Sequence, residues 1–235
     1  MSLLYSRVSP INDKIGIVIP TVGEILDQES NYYSIISVLT AMPIDYMVQL
    51  DDIGVDFTTI NEYDLFLMLF NGIKNLDTSL VFHDLDLTKF ELGQHIETGA
   101  MVLYDEEDDI VIDRVIHTKI ANLLRKIHHI EKDNHKPGNK DAQDYLLKRA
   151  REKAKRKRRR NADSQLEQLI IAMVNTEQFK YGYEGTRELS IYQFNESVRQ
   201  IQKKVDFDNK MHGIYAGTVD PKKLSPDELN WLTHK

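Results

Sequence analysis

Apolar and polar residues alternate over Ile15-Gly-Ile-Val-Ile19, which predicts a short strand stopped by Pro20. Helix-start residues follow at Asp27-Gln-Glu-Ser30, and Tyr32, Tyr33, Ile35, Ile36 and Leu39 then recur at helical spacing. Met42-Pro43 separates that helix from a second one ending near Asp52, with Gly54 beyond it. Thr59-Ile-Asn-Glu62 has the spacing of a capping box, so a helix is expected from there to about Lys74. Its residues Leu65, Phe66, Leu67, Met68, Leu69 and Phe70 are apolar nearly all round, which predicts a buried helix at the centre of the N-terminal core, with Leu65, Phe66 and Leu69 almost fully enclosed.

The period changes after that helix. Ser79–Phe82, Phe90–Leu92, Met101–Tyr104 and Ile110–Ile112 are short apolar runs separated by turn residues, notably Thr98-Gly99 and Asp105–Asp109, and read as a small antiparallel β excursion. A helix begins near Asp113 with Val115, Ile116, Ile120, Leu123, Leu124, Ile127 and Ile130 in one stripe and Arg125, Lys126 and Lys132 off it. Asn134–Asn139 breaks the chain. Further helices are expected from Asp141 into a basic run, over Gln165–Val174, and from Ser190 to about Val205 along Ile191, Phe194, Val198, Ile201 and Val205, with Tyr181–Gly185 as a loop. The tail, Ser225–Leu232, carries a capping-box pattern and the single Trp231. The fold class is therefore α+β and predominantly helical. The chain divides into an N-terminal α+β module (1–133), a basic helical connector (134–162) and an all-helical C-terminal module (163–235).

Composition narrows the function. A hydrophobic fraction of 41% with 29% charged residues can bury a core, and the absence of cysteine excludes disulfides, thiolate metal sites and a Cys nucleophile. The most apolar stretch, Leu65–Phe70, is far too short to span a bilayer, and the N-terminus lacks signal-peptide character, so a cytoplasmic location without membrane association is expected. Charge is unevenly spread. Residues 148–160 hold ten cations, Lys148, Arg149, Arg151, Lys153, Lys155, Arg156, Lys157, Arg158, Arg159 and Arg160, against one acid, Glu152. This segment of +9 lies in a chain of net charge −7. Such a run either binds nucleic acid or another acidic partner through phosphates or carboxylates, or is a solvated helix docked on the protein's own acidic surface.

Motifs for chemistry are weak. His128-His129 with His135, and His83-Asp-Leu-Asp86, lack convergent metal-ligand spacing, and Asp105–Asp109 and Asp206-Phe-Asp208 lack the alternation of a calcium loop. Phosphate-binding glycine loops and nucleophile elbows are absent from the sequence. The expectation is a binding or assembly protein without cofactor or metal, not an enzyme.

Several segments carry a resemblance. Ile19-Pro-Thr-Val-Gly-Glu-Ile25, Tyr32-Tyr33, Met42-Pro-Ile-Asp45 and Gly54-Val-Asp-Phe57 resemble proteins from the tail-gene clusters of tailed phages and prophages of Gram-positive bacteria. Phe194-Asn-Glu-Ser-Val198, Val205-Asp-Phe-Asp208, Ala216-Gly-Thr-Val-Asp-Pro221 and Glu228-Leu-Asn-Trp-Leu232 are similar to small phage tail-assembly proteins. The resemblance, to siphophage tail-assembly chaperones, implies a factor in the host cell cytoplasm that holds the tape-measure protein or tail-tube subunits, or self-associates. A structural virion protein of the tail or neck is the alternative within the same genes. Client contacts would then fall on aromatic residues of the C-terminal module, Tyr192, Tyr215 and Trp231, with Phe194 and Trp231 competing for the module's own core.

Overall fold

The computed structural model describes residues 2–95, 98–157 and 164–232. Arg158, Arg159 and Arg160 of the basic run lie outside the described residues, as do the side chains of Arg156 and Lys157. The fold is α+β and mostly helical, with two small antiparallel sheets.

Strands β1 (Val8–Pro10) and β2 (Gly16–Val18) pair as a hairpin. The chain then enters α1 (Val22–Asp27), where Thr21 and Glu24 form a reciprocal capping box that satisfies amides the first turn leaves open. Helices α2 (Glu29–Leu39), α3 (Met47–Asp52) and α4 (Glu62–Leu69) follow, and α4 tightens into a 3-10 turn at Phe70–Gly72. The second sheet has order β3-β4-β5, from Glu91–Gln94, Met101–Asp105 and Ile110–Ile112. Ser79–Phe82 is a turn instead of a strand, and Phe82 bridges to Ile17. Helix α5 (Arg114–His128) starts where the Asp113 carboxylate accepts from the Ile116 amide, and ends at His129 in the left-handed region, φ 53°. Then come α6 (Lys140–Lys157), α7 (Gln165–Val174), α8 (Tyr183–Glu188) and α9 (Ile191–Tyr215).

Four further expectations change. The start of α4 is capped by Asn61, whose side chain accepts from the Tyr63 and Asp64 amides, so Thr59 and Glu62 form no capping box. An Asx cap one residue before the helix competes successfully with a hydroxyl three residues before Glu62. Leu65 and Phe66 are buried as expected, but Leu69 is half-buried and Met68 exposed, because α4 rests its other flank on a small second cluster with Leu50 and Phe57. Tyr183–Glu188 is helical, not a loop. Helix α9 runs ten residues past Val205, sustained by ion pairs between Lys204 and Asp208 and between Lys210 and Asp206, one helical turn apart.

The main apolar core draws on both the N-terminal and the C-terminal segments. One buried cluster joins Ile17, Ile25, Phe66 and Leu124 to Leu166, Ile170, Phe179, Ile191 and Phe194. Main-chain bonds seal the junction. The Val22 amide donates to the Leu189 carbonyl at 2.9 Å and the Ile191 amide to the Pro20 carbonyl at 2.8 Å. The second half of α9 extends beyond this core, with Tyr215 at its end 80% exposed.

Candidate functional site

The first solvent-facing surface is the distal half of α9 and the tail that folds back on it. At the end of α9 the chain reverses through Gly217, which sits at φ 71°, a backbone region open to glycine at little cost. The Thr218 and Val219 amides donate back to the Gly213 carbonyl. A 3-10 turn, Pro221–Lys223, leads into the Ser225–Glu228 turn, where Ser225 and Glu228 bond reciprocally without starting a helix. These bonds, the Ser225 backbone amide foremost, hold the Glu228 carboxyl down to about 2. Trp231 comes to rest along α9, where its carbonyl accepts from Gln200 Nε2 at 2.8 Å.

Between tail and helix lies a cleft of about 290 Å³, lined by Lys203, Asp206, Phe207, Lys210, Glu228 and Trp231 among others. The Lys204 ammonium stands 5.5 Å from the Trp231 ring centroid and 5.9 Å from that of Phe207, which suits the negative faces of both rings. Lys210 bridges Asp206 at 2.7 Å and Glu228 at 3.2 Å, tying the tail to the helix. Two aromatic faces rimmed by paired charges suit an amphipathic segment, with an apolar side chain over the rings and polar flanks at the rim.

Of the three aromatic candidates, Trp231 lies in this cleft and Tyr215 stands exposed at the end of the same helix. Tyr192 is remote from both, about 35 Å along α9 from Tyr215 at 1.5 Å per residue. Its ring stacks on His129 with centroids 6.2 Å apart, and it packs against the main core. Burial first, then the bond to Glu196, raises the Tyr192 hydroxyl's pKa. Phe194 is fully buried in the core. Phe207 belongs to the cleft and was not singled out in the sequence. It lies two residues beyond Val205, the last position of the α9 apolar stripe, and off that stripe's spacing.

The second surface is α6. Arg151 reaches Asp51 at 2.6 Å and Asp52 at 2.7 Å on α3, so this part of the basic run docks on the protein's own acidic surface. Lys148, Arg149, Lys153 and Lys155 are exposed. The Arg149 guanidinium lies 5.7 Å from the ring centroid of Tyr145.

The candidate metal ligands are engaged otherwise. Asp105 accepts from the Glu107 and Asp108 amides in the β4–β5 turn, Asp206 and Asp208 pair with lysines, and His83 lies beside Asp84. Among the described residues no three His, Asp or Glu side chains group as a metal site would need.

Two histidines, His117 buried and His128 half-buried, carry a pH dependence instead. His117 stacks on Phe66 with centroids 4.3 Å apart, and burial lowers its pKa to about 4. His128 meets the Tyr32 hydroxyl at 2.9 Å and is likewise lowered to about 4 by burial. The unfolded chain therefore binds protons that the folded chain refuses between pH 6.5 and about 4, so stability is full above 6.5 and falls as pH drops. The expected loss approaches about 1.4 kcal/mol per pH unit for each ring. Urea midpoints at pH 7, 6 and 5 should fall in order, and His117→Gln with His128→Gln should flatten the profile. A wild-type profile flat from pH 7 to 5 contradicts this account.

These features define a helix-rich α+β protein whose C-terminal half presents an aromatic cleft and a cationic helix to solvent. Residues 155–235 match the model of the family described as YomV second domain, about a third of the chain, and the match points to a phage-type protein. Neither a curated protein nor a solved structure matches the chain. Among the described residues no helix is long and apolar enough to cross a membrane.

Proposed function

We propose that the protein is a non-enzymatic phage tail assembly factor that holds a tape-measure or tail-tube protein through the distal half of α9 and the tail. The observation that carries this reading is that the Phe207–Trp231 cleft and the exposed Tyr215 lie within residues 155–235, the stretch matched to a phage-type family. Large aromatic surface with little burial in the protein's own core is what an interface needs, since aromatic anchors supply much of the binding energy. The resemblance of the tail segment Glu228–Leu232 to tail-assembly proteins supports the same reading.

The test uses the full chain, because deleting residues 163–235 would remove Leu166, Ile191 and Phe194 from the shared core. Purified tape-measure and tail-tube proteins from the genome that encodes the chain are titrated against wild type and against Tyr215→Ala and Trp231→Ala. One client should bind, and loss of an anchor should weaken it roughly 30-fold, the 2 kcal/mol typical of an interface hot spot. Failure of both clients to bind removes the assembly reading. Binding that ignores both substitutions moves the site elsewhere. Recovery of the chain in purified virions at fixed stoichiometry favours a structural tail protein.

A further inference from the structure

Many cations elsewhere in the molecule pair with its own carboxylates. Arg7 pairs with Glu24, Lys14 with Asp109, Lys89 with Asp108, Arg187 with Asp27 and Lys210 with Asp206. On α6 the pattern differs. Arg151 alone of the cations between 148 and 155 forms an ion pair among the described residues, while Lys148, Arg149, Lys153 and Lys155 project into solvent. Part of this placement stabilises the helix, since cations in its later turns complement the helix dipole. That does not explain the density. Arg149 with Lys153, and Arg151 with Lys155, are like charges one turn apart, an arrangement that weakens a helix until counter-charge arrives.

The distribution around the helix narrows the partner. At about 100° per residue, Lys148 and Lys155 form one ridge and Arg149 and Lys153 another, separated by about 130°. Ala150 and Arg151, both half-buried, occupy the side turned to α3. Both ridges therefore face solvent. A flat acidic protein surface would meet one ridge and leave the other unpaired. A groove bounded by two phosphate strands meets both, and the major groove of a duplex is wide enough to admit a helix. The run has no Asn or Gln to read adenine, and the Arg149 guanidinium is already engaged over one face of the exposed Tyr145 ring, so the contacts expected are mainly to backbone phosphates, which carry no sequence information.

We propose that the two solvent-facing cationic ridges of α6 form a sequence-independent binding surface for duplex nucleic acid. This surface is separate from the aromatic cleft, and the proposal stands or falls independently of the assembly role.

The test is fluorescence anisotropy of the full chain with two labelled 24-base-pair DNA duplexes of unrelated sequence, from 50 to 300 mM salt. Both should bind alike, with log affinity falling against log salt by about 0.9 for each phosphate neutralised, hence a slope of at least about −3 if the four ridge cations engage. The variant Lys148→Glu/Arg149→Glu/Lys153→Glu/Lys155→Glu should lose affinity roughly tenfold or more and flatten the slope by about 3, with an unchanged circular dichroism spectrum. Tyr215→Ala, in the same assay, should change nothing. Absence of binding at 50 mM salt, or binding indifferent to the fourfold reversal, overturns the proposal. Poly-glutamate that competes as well as duplex at equal charge concentration also overturns it, in favour of an acidic protein partner.

Discussion

Replacing Phe194 by Ala should destabilise the protein by about 3–5 kcal/mol, the range for deleting a buried aromatic ring. Phe194 is fully enclosed, meets Phe179 edge-on with centroids 6.1 Å apart, and belongs to the cluster that also contains Ile17, Ile25 and Leu124. The cavity would open where the N-terminal helices and the C-terminal helices share one core, so little collapse is available. Unfolding should remain a single cooperative transition, with hydrogen exchange accelerating in α2 and α5 as much as in α7 and α9. A variant whose N-terminal helices keep wild-type protection while α9 melts would show two energetically separate units.

Arg125→Ala should cost a similar amount, about 3–5 kcal/mol, as expected when one partner of a buried ion pair is removed. Arg125 is 5% exposed. Its Nη2 donates to the Thr40 carbonyl at 2.9 Å and to Glu62 Oε2 at 3.0 Å, joining the end of α2, the start of α4 and the last turn of α5. Lys132 holds the other Glu62 oxygen at 2.5 Å. Burial raises the Glu62 carboxyl's pKa, but the Lys132 bond and Arg125 outweigh it and the net shift is downward, so the group stays ionised. Removing the guanidinium also deletes an aliphatic stem from the core. Arg125→Lys should recover only part of the loss, because the ammonium is more strongly hydrated than the guanidinium and so costs more to bury. Chemical denaturation checks both variants. A cost under about 1 kcal/mol for Arg125→Ala would show that the pair's desolvation cancels its attraction.

Arg125 marks where pattern reading fails. Along α5 it falls beside the apolar stripe, so periodicity assigns it to solvent. Its partner Glu62 is 63 residues away, and no local signal announces the meeting. Val115 and Ile130 are the converse case. Both lie in the stripe by spacing, yet they are 59% and 38% exposed, because the sheet and the other helices cover only the middle of α5. Leu69 fails for the same reason as these two. An all-apolar helix face says that burial is wanted, and the neighbours decide how much is delivered.

The candidate surfaces divide similarly. The cationic run was legible because like charges in sequence remain together on any helix, and α6 spans Lys140–Lys157. The pairing of Arg151 with Asp51 and Asp52 was not, since it depends on how α6 lies on α3. Trp231 was noticeable as the single tryptophan, but its cleft needs Phe207 and the reversal at Gly217 to bring the tail back along α9. Tyr192 looked equivalent to Tyr215 by residue type. Stacking on His129 draws it into the main body, whereas Tyr215 projects from a helix end that has outrun the core.

The sequence by itself determined most of the helices, strand β2, the β3–β5 excursion, the starts of α5 and α9 and the cationic helix, because hydrophobic period, caps and like-charge density act over a few residues. Only the tertiary structure decided that one core runs through both halves, that Arg125 is buried against Glu62, and that Phe207 and Trp231 line one cleft. Those outcomes depend on which faces meet between segments far apart in the chain, and the energy of such meetings is not stored in any local pattern.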